Sequence, residues 1–235
     1  MNKKILSVLA LFLGLFLVSC GTTGVSSTYK VDETPVAKFN PPPAGFEAKR
    51  IAIIEFKDKT SVSPFKGNVG SIAIDELTTF LVNSERFQVI ERERIDALLA
   101  EQGLAGKGIV DANTAAQVGK MLGADLIFTG AITNWEVKTT KDGTFFIIGG
   151  TKSRNLHIEL AVDGRIIDTT TGAILFADSG EVSRDEAVSA TAILNIAPDG
   201  YVKIDQSTAG KQMRMALNEM LKKMVPKIDR KFGQK

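Results

Sequence analysis

Cys20 is the only cysteine in the 235 residues, and what precedes it decides its chemistry. Lys3 and Lys4 lead into an almost unbroken apolar run, Ile5 to Val18, which closes on Leu17-Val18-Ser19-Cys20. A run this short, followed by small polar residues, reads as a secretory signal peptide over 1–19 and not as a helical span. Small residues ahead of a cysteine fit the bacterial lipobox. Cys20 then becomes the first mature residue and carries acyl chains, its thiol consumed in a thioether. The alternative is a plain signal peptide ahead of a free thiol. Either way an exported chain with one cysteine makes no internal disulfide. Gly21 stands where an aspartate would resemble an inner-membrane retention signal, which favours the outer membrane.

The other residues with chemical potential lead nowhere catalytic. His157 is the only histidine, so no histidine-based metal cluster can be built, and a nucleophile would have a single base to share. It lies on the polar side of a strand pattern and reads as a surface residue. Gly103-Leu104-Ala105-Gly106-Lys107-Gly108 looks like a phosphate loop. Its spacing is wrong, no Ser or Thr follows the lysine, and it trails a helix pattern instead of a strand. It reads as a helix C-cap and connector. Glu91-Arg92-Glu93-Arg94 opens a helix, where acids favour the dipole, and reads as a solvated face. We expect no enzyme, no metal and no cofactor.

Charge narrows the partners. Loss of 1–19 removes Lys3 and Lys4 and no acid, leaving 27 basic against 27 acidic side chains. A neutral mature chain offers no electrostatic footprint for nucleic acid. Membrane attachment must then come from acyl chains or apolar surface.

The elements that position these residues follow from periodicity. Residues 20–48 are rich in Ser, Thr, Gly and Pro without apolar period, and read as a lipidated tether extending about 3 Å per residue where proline dominates. From 49 to 235 the pattern is α/β. Ile51-Ala52-Ile53-Ile54 and Phe87-Gln88-Val89-Ile90 are short strands, the first of the kind covered on both faces. Between them Val69, Ala73, Leu77, Phe80 and Leu81 share a helical face. A second helix carries Ile95, Leu98 and Leu99. A third opens near Asp111 or Asn113, buries Val118, Met121 and Leu122, and stops at Gly123. Strands follow at 126–137, 156–167 and 173–182. A last helix from about Ala209 to Val225 has Met213, Leu217, Met220 and Met224 on one stripe, with Pro226 ending or kinking it. Together these describe a small mixed-sheet α/β sandwich.

Arg50–Phe56, FQVIERERIDALLAEQGL (87–104), LGADLIFTGAI (122–132) and DTTTGAIL (168–175), in this order and with the lipobox, resemble the curli-secretion channel lipoproteins, the CsgG/HfaB-like family. Activators of peptidoglycan synthases, the LpoB-like lipoproteins, resemble the same core without insertions. The channel resemblance implies two β-hairpins inserted into the core, at 137–156 and 182–207, that enter the outer membrane and join those of other copies in an oligomeric transmembrane β-barrel. Both places carry extra residues here. In the first, Phe145, Phe146, Ile147 and Ile148 form an apolar centre flanked by charges. In the second, Val188, Ala190, Ala192, Leu194 and Ile196 alternate with mainly polar neighbours over nine residues, against the roughly 9–11 that a tilted membrane strand needs. Tyr201 and Trp135 are candidates for the two membrane interfaces, each with plain packing as the alternative.

The resemblance therefore implies a homo-oligomeric ring, lipid-anchored in the outer membrane with its main domain periplasmic. Such a ring passes unfolded polypeptide, curli-type or surface-adhesin subunits, by diffusion and works with periplasmic accessory proteins. The other reading is a lipid-anchored periplasmic module that binds a partner, such as a peptidoglycan synthase, without a pore. The family narrows its channel with a loop after the first strand. That loop is shorter here, KTSVSPFKGN (59–68), and Phe65 is the residue to which a constriction role carries over. In the first insertion Phe146, Ile148, Lys152 and Arg154 share one parity, so the charges belong at the rim or a bulge shifts the register.

Overall fold

Ile51-Ala52-Ile53-Ile54 forms the expected strand covered on both faces, and the rest of the fold is built around it. The computed structural model describes residues 38–61, 64–65, 67–104, 111–140, 154–188 and 206–233, all within the unit 34–235. Five strands, β1 (Lys49–Asp58), β2 (Phe87–Val89), β3 (Leu126–Thr140), β4 (Arg154–Asp168) and β5 (Ile174–Val188), accompany four helices. These are α1 (Val69–Asn83), α2 (Arg92–Glu101), α3 (Ala112–Leu122) and α4 (Gln206–Phe232). The described strands make one open mixed sheet in the order β2-β1-β3-β4-β5. β1 runs parallel to β2 and β3, while β4 and β5 continue antiparallel.

Two cores sandwich the sheet. Ile51, Ile53, Leu126, Phe128, Ile158, Leu160 and Val162 face α1 and α4. Ala52, Ile54, Ile127 and Ile167 face α2 and α3. Bulges explain why one core draws on both parities of a strand. The register of β1 shifts between Ile53 and Glu55, which returns Phe56 to the side of Ile51 and Ile53. In β3 the shift between Ile132 and Asn134 does the same, so that Trp135 and Val137 join Ile132.

Local signals account for the helix ends. The Asn68 side chain accepts from Ser71 N, and Asp111 from Thr114 N at 2.9 Å. Gly123 closes α3 at φ 66°, and Gly103, at φ 63°, lies just past α2 as the C-cap reading requires. At Gly180 α4 lies so close to β5 that a Cβ would overlap the Ala216 carbonyl oxygen and stand 2.8 Å from Met220 N.

Three expectations need correction. Met121 is not in the core but 47% exposed, because the buried face of α3 runs through Ala115, Val118, Gly119 and Leu122. Of the two readings of Pro226 the helix end fails, since the last helix runs past it to Phe232 and not to about Val225. The lost hydrogen bond is offset by the turns beyond it. Ile228 is fully buried, Lys227 pairs with Asp178, and the Phe232 ring packs edge-on against Phe176 at 5.8 Å. The tether also ends earlier than 48. Phe39 and Phe46 pack on the main core, Phe39 edge-on against Phe80 at 6.5 Å, and Asn40 O accepts from the Arg86 guanidinium at 3.1 Å.

Candidate functional site

β1 ends at Asp58, which stands opposite Ile132, yet β3 continues to Thr140. The eight residues beyond project about 26 Å at strand rise. β4 and β5 keep pace, with Thr140 paired to Asn155 and Arg154 to Val188. A three-stranded ribbon therefore overruns the parallel half of the sheet. All three strand ends at its tip lead into residues 141–153 or 189–205, which lie outside the described residues. The strands at 126–137, 156–167 and 173–182 are thus each longer than periodicity indicated, and all are extended toward the same end.

One face of the ribbon is dry. Trp135, Val137, Ile158 and Leu160 are at most 1% exposed beneath α4. Trp135 Nε1 donates to Gln212 Oε1 at 2.9 Å, a buried bond between side chains of ribbon and helix. Of the two readings of Trp135, packing holds: the ring sits in the core, and its one polar atom is satisfied there. The Gln212 amide nitrogen is buried with no partner among the described residues.

The opposite face of β4 and β5 is polar along the ribbon, and past Ile167, which packs beneath α3, no described helix covers it. Lys138, His157 and Asp185 form one cross-strand row, and Glu136, Glu159 and Ser183 form another. Glu136 and Glu159 are like charges directly opposite, an unfavourable pair on its own. Each is answered locally: Lys138 pairs with Glu136, and His157 Nε2 lies 3.1 Å from Glu159. His157 Nδ1 meets Asp185 at 2.9 Å. The hydrogen bond to Asp185, then that to Glu159, holds the imidazolium and raises the pKa above the ordinary histidine value. His157 is the surface residue that the alternation predicted, but it works as the hinge of an acidic cluster.

Phe65 is partly buried against the main core. Val188 is the last described residue of β5. Cys20, Phe145, Phe146, Ile147, Ile148, Ala190, Ala192, Leu194, Ile196 and Tyr201 lie outside the described residues. The motifs that carry the family resemblance meet at the other end of the sheet. Arg50 N donates to the Asp125 carboxylate, Thr169 N to Asp125 O, and Thr169 Oγ1 to Ala124 O. Asp168 Oδ1 collects Thr170 N, Thr171 N and Thr171 Oγ1 within 2.7–2.9 Å. These segments specify the fold and not the ribbon tip.

Two residues escaped the sequence reading. Arg92 is more than a solvated charge: its guanidinium donates to Ile53 O and Ile54 O along the part of β1 that β2 does not reach. Arg86, 1% exposed, forks onto Asp229. Nothing in the spacing of either residue signals its partner.

The family model described as curli production assembly/transport component CsgG matches residues 39–232. A Neisseria meningitidis serogroup B protein named "Putative lipoprotein NMB1126/NMB1164" is 26% identical over 220 residues, covering 91% of this chain and 89% of that one. Among solved structures, the LpoB C-terminal domain from Salmonella enterica matches with TM-score 0.40 and 13% identity over 60% of this chain and 88% of its own. The PelC dodecamer from Paraburkholderia phytofirmans matches with TM-score 0.37 and 15% identity, over 77% and 93%. Structural likeness at this level establishes neither a common function nor a common assembly.

Proposed function

The chain belongs to the CsgG family of curli production assembly/transport components, and we propose that it is one protomer of a ring-shaped outer-membrane pore for unfolded polypeptide. The observation that carries this reading is the ribbon: three adjacent strands overrun the parallel half of the sheet in register, and both insertions leave from their tips. Extended as hairpins, 141–153 and 189–205 would continue β3–β4 and β5 away from the domain. If the membrane begins just past buried Val137, residues 138–146 supply nine positions, within the roughly 9–11 that a tilted membrane strand takes. Lipid offers no partner for an open strand edge, so such hairpins span only when several copies close a barrel. Acyl chains on Cys20 would hold each copy at the same membrane, with the α/β domain in the periplasm. Substrate would move by diffusion, with no catalytic step.

A second reading, a lipid-anchored periplasmic module that binds a partner protein, is favoured by the polar ribbon face of β4 and β5, which no described helix covers past Ile167. Detergent-extracted full-length protein separates the two. The pore reading expects a large ring that conducts ions in planar bilayers. A monomer without conductance would sink it and leave the binding module.

A further inference from the structure

We propose that Arg92 guards the open edge of β1: its guanidinium stands in for a missing strand and keeps extended polypeptide from pairing there. The guard is independent of the pore reading and serves a ring protomer and a tethered binding module alike.

β2 covers β1 only over Lys49–Ile51, and the ladder closes where Ile90 N donates to Ile51 O at 2.9 Å. Among the described residues no strand pairs with β1 on that side from Ala52 onward. The stretch left without a partner begins Ala52-Ile53-Ile54, β-branched and uncharged. A run of this kind invites an added strand wherever its backbone groups are open.

Arg92 closes that opening from the first turn of α2. Consecutive carbonyls of a regular strand point to opposite edges. The register shift between Ile53 and Glu55 brings those of Ile53 and Ile54 to one donor, Arg92 Nη1, at 3.3 and 3.1 Å. The other two nitrogens, Nε and Nη2, fork onto Asp96 one turn along α2, at 3.2 and 2.9 Å. An exposed bridge such as this adds little stability by itself. Its effect here is geometric: the Asp96 carboxylate holds one side of the guanidinium, which leaves Nη1 aimed at β1. A lysine carries the charge without the planar fork and cannot hold both partners in this way.

Further along, backbone finishes the closure. α1 lies so close to Phe56 O that a Cβ on Gly70 would overlap it. Arg92 and Gly70 line one groove of about 370 Å³, with Ile54, Phe56, Ile74 and Leu99 as its apolar walls. An apolar groove beside strand backbone offers an extended peptide main-chain bonds and side-chain burial together. Without Arg92, two carbonyls would face such a peptide unpaired.

The test reads a gain of binding by the folded protein, which loss of an ordinary surface bridge does not produce. The probe is a fluorescein-labelled peptide of residues 50–57, RIAIIEFK, whose own β-branched run suits strand pairing. It is titrated with full-length protein in detergent and followed by anisotropy. Wild type should leave the peptide free. Arg92→Ala should bind it at least about tenfold more tightly, since two charge-assisted hydrogen bonds no longer compete. Arg92→Lys, which keeps the charge, should bind within about threefold of the Ala variant. Thermal melts establish that each variant is folded. A peptide that binds neither folded variant, or binds wild type as well as Arg92→Ala, overturns the guard. Exclusion of the peptide by Arg92→Lys overturns the part given to the fork.

Discussion

Arg86 and Asp229, 143 positions apart, meet as a two-pronged ion pair, Nε to Oδ1 and Nη2 to Oδ2, both at 2.7 Å. The remaining guanidinium nitrogen donates to Ser84 O and Asn40 O at 2.6 and 3.1 Å. One buried side chain therefore ties the turn after α1, the strap at 38–48 and the last turns of α4. Removing one partner of a buried pair strands the other charge, at about 3–5 kcal/mol. Asp229 keeps 23% of its side-chain exposure, so Arg86→Ala should fall near the lower end, about 3 kcal/mol. Urea unfolding checks this. A loss below about 1 kcal/mol would place the pair among ordinary surface bridges.

At Gly180 the α4 backbone lies directly against β5. The α4 backbone at Ala216 and Met220 cannot yield to a new Cβ as a side chain could. Gly180→Ala should cost about 3 kcal/mol or more, at the upper end of overpacking. The same change at Gly45, where a Cβ meets nothing within 4 Å, carries only the strain of its φ of 79°, about 1 kcal/mol. Paired thermal melts should rank the two in that order. The reverse ranking would mean that α4 does not sit against β5 as described.

Much of this architecture was legible because one face of each element is buried and the period is then forced. Val69, Ala73, Leu77, Phe80 and Leu81 are all buried as their spacing requires, and so are Met213, Leu217, Met220 and Met224. Met121 failed because α3 is covered on a stripe whose other members are Ala115 and Gly119, small residues that give a weak periodic signal. Helix α4 outran its proline because tertiary pairs beyond Pro226 outweigh a local breaker. The ribbon was legible as strands but not as a ribbon. Its length depends on cross-strand register and on a bulge at 132–134, neither of which has a one-dimensional signature. The partner choices of Arg86 and Arg92 are set by the packing of distant elements, and no local pattern encodes them.

His157 links the ribbon to pH. Its hydrogen bonds to Asp185 and Glu159 raise its pKa in the folded state. The groups facing it are Lys138 from β3, Glu159 from β4 and Asp185 from β5. A raised folded pKa adds stability that is complete below the unfolded value, about 6.5, and disappears as pH rises through the folded one. Wild type should therefore exceed His157→Gln in melting temperature by more at about pH 5.5 than at about pH 8.5. Asp168, its carboxylate held by the Thr171 backbone N–H, has a lowered pKa and the opposite sign. The advantage of wild type over Asp168→Asn should shrink as pH falls through the carboxylate range. A His157→Gln difference that does not change with pH would show that the cluster does not bind the proton it is built to hold.

Shortening the first insertion separates fold from function most directly. β3 and β4 are already in register at Thr140 and Asn155, so the domain does not need the intervening residues to set their pairing. Replacing 142–153 by Asn-Gly leaves Lys141 and Arg154 to flank a two-residue turn, the loop length and sequence that match strand twist best. All the described core lies below this point, with Val137 and Ile158 fully buried beneath α4. The shortened protein should melt within a few degrees of wild type, since a shorter loop lowers the closure entropy only slightly, by about 1–2 kcal/mol. If the pore reading holds, it should no longer conduct in planar bilayers. Conductance that survives would remove residues 142–153 from the membrane barrel. A lost fold would mean that they pack on the domain and are not an insertion at all.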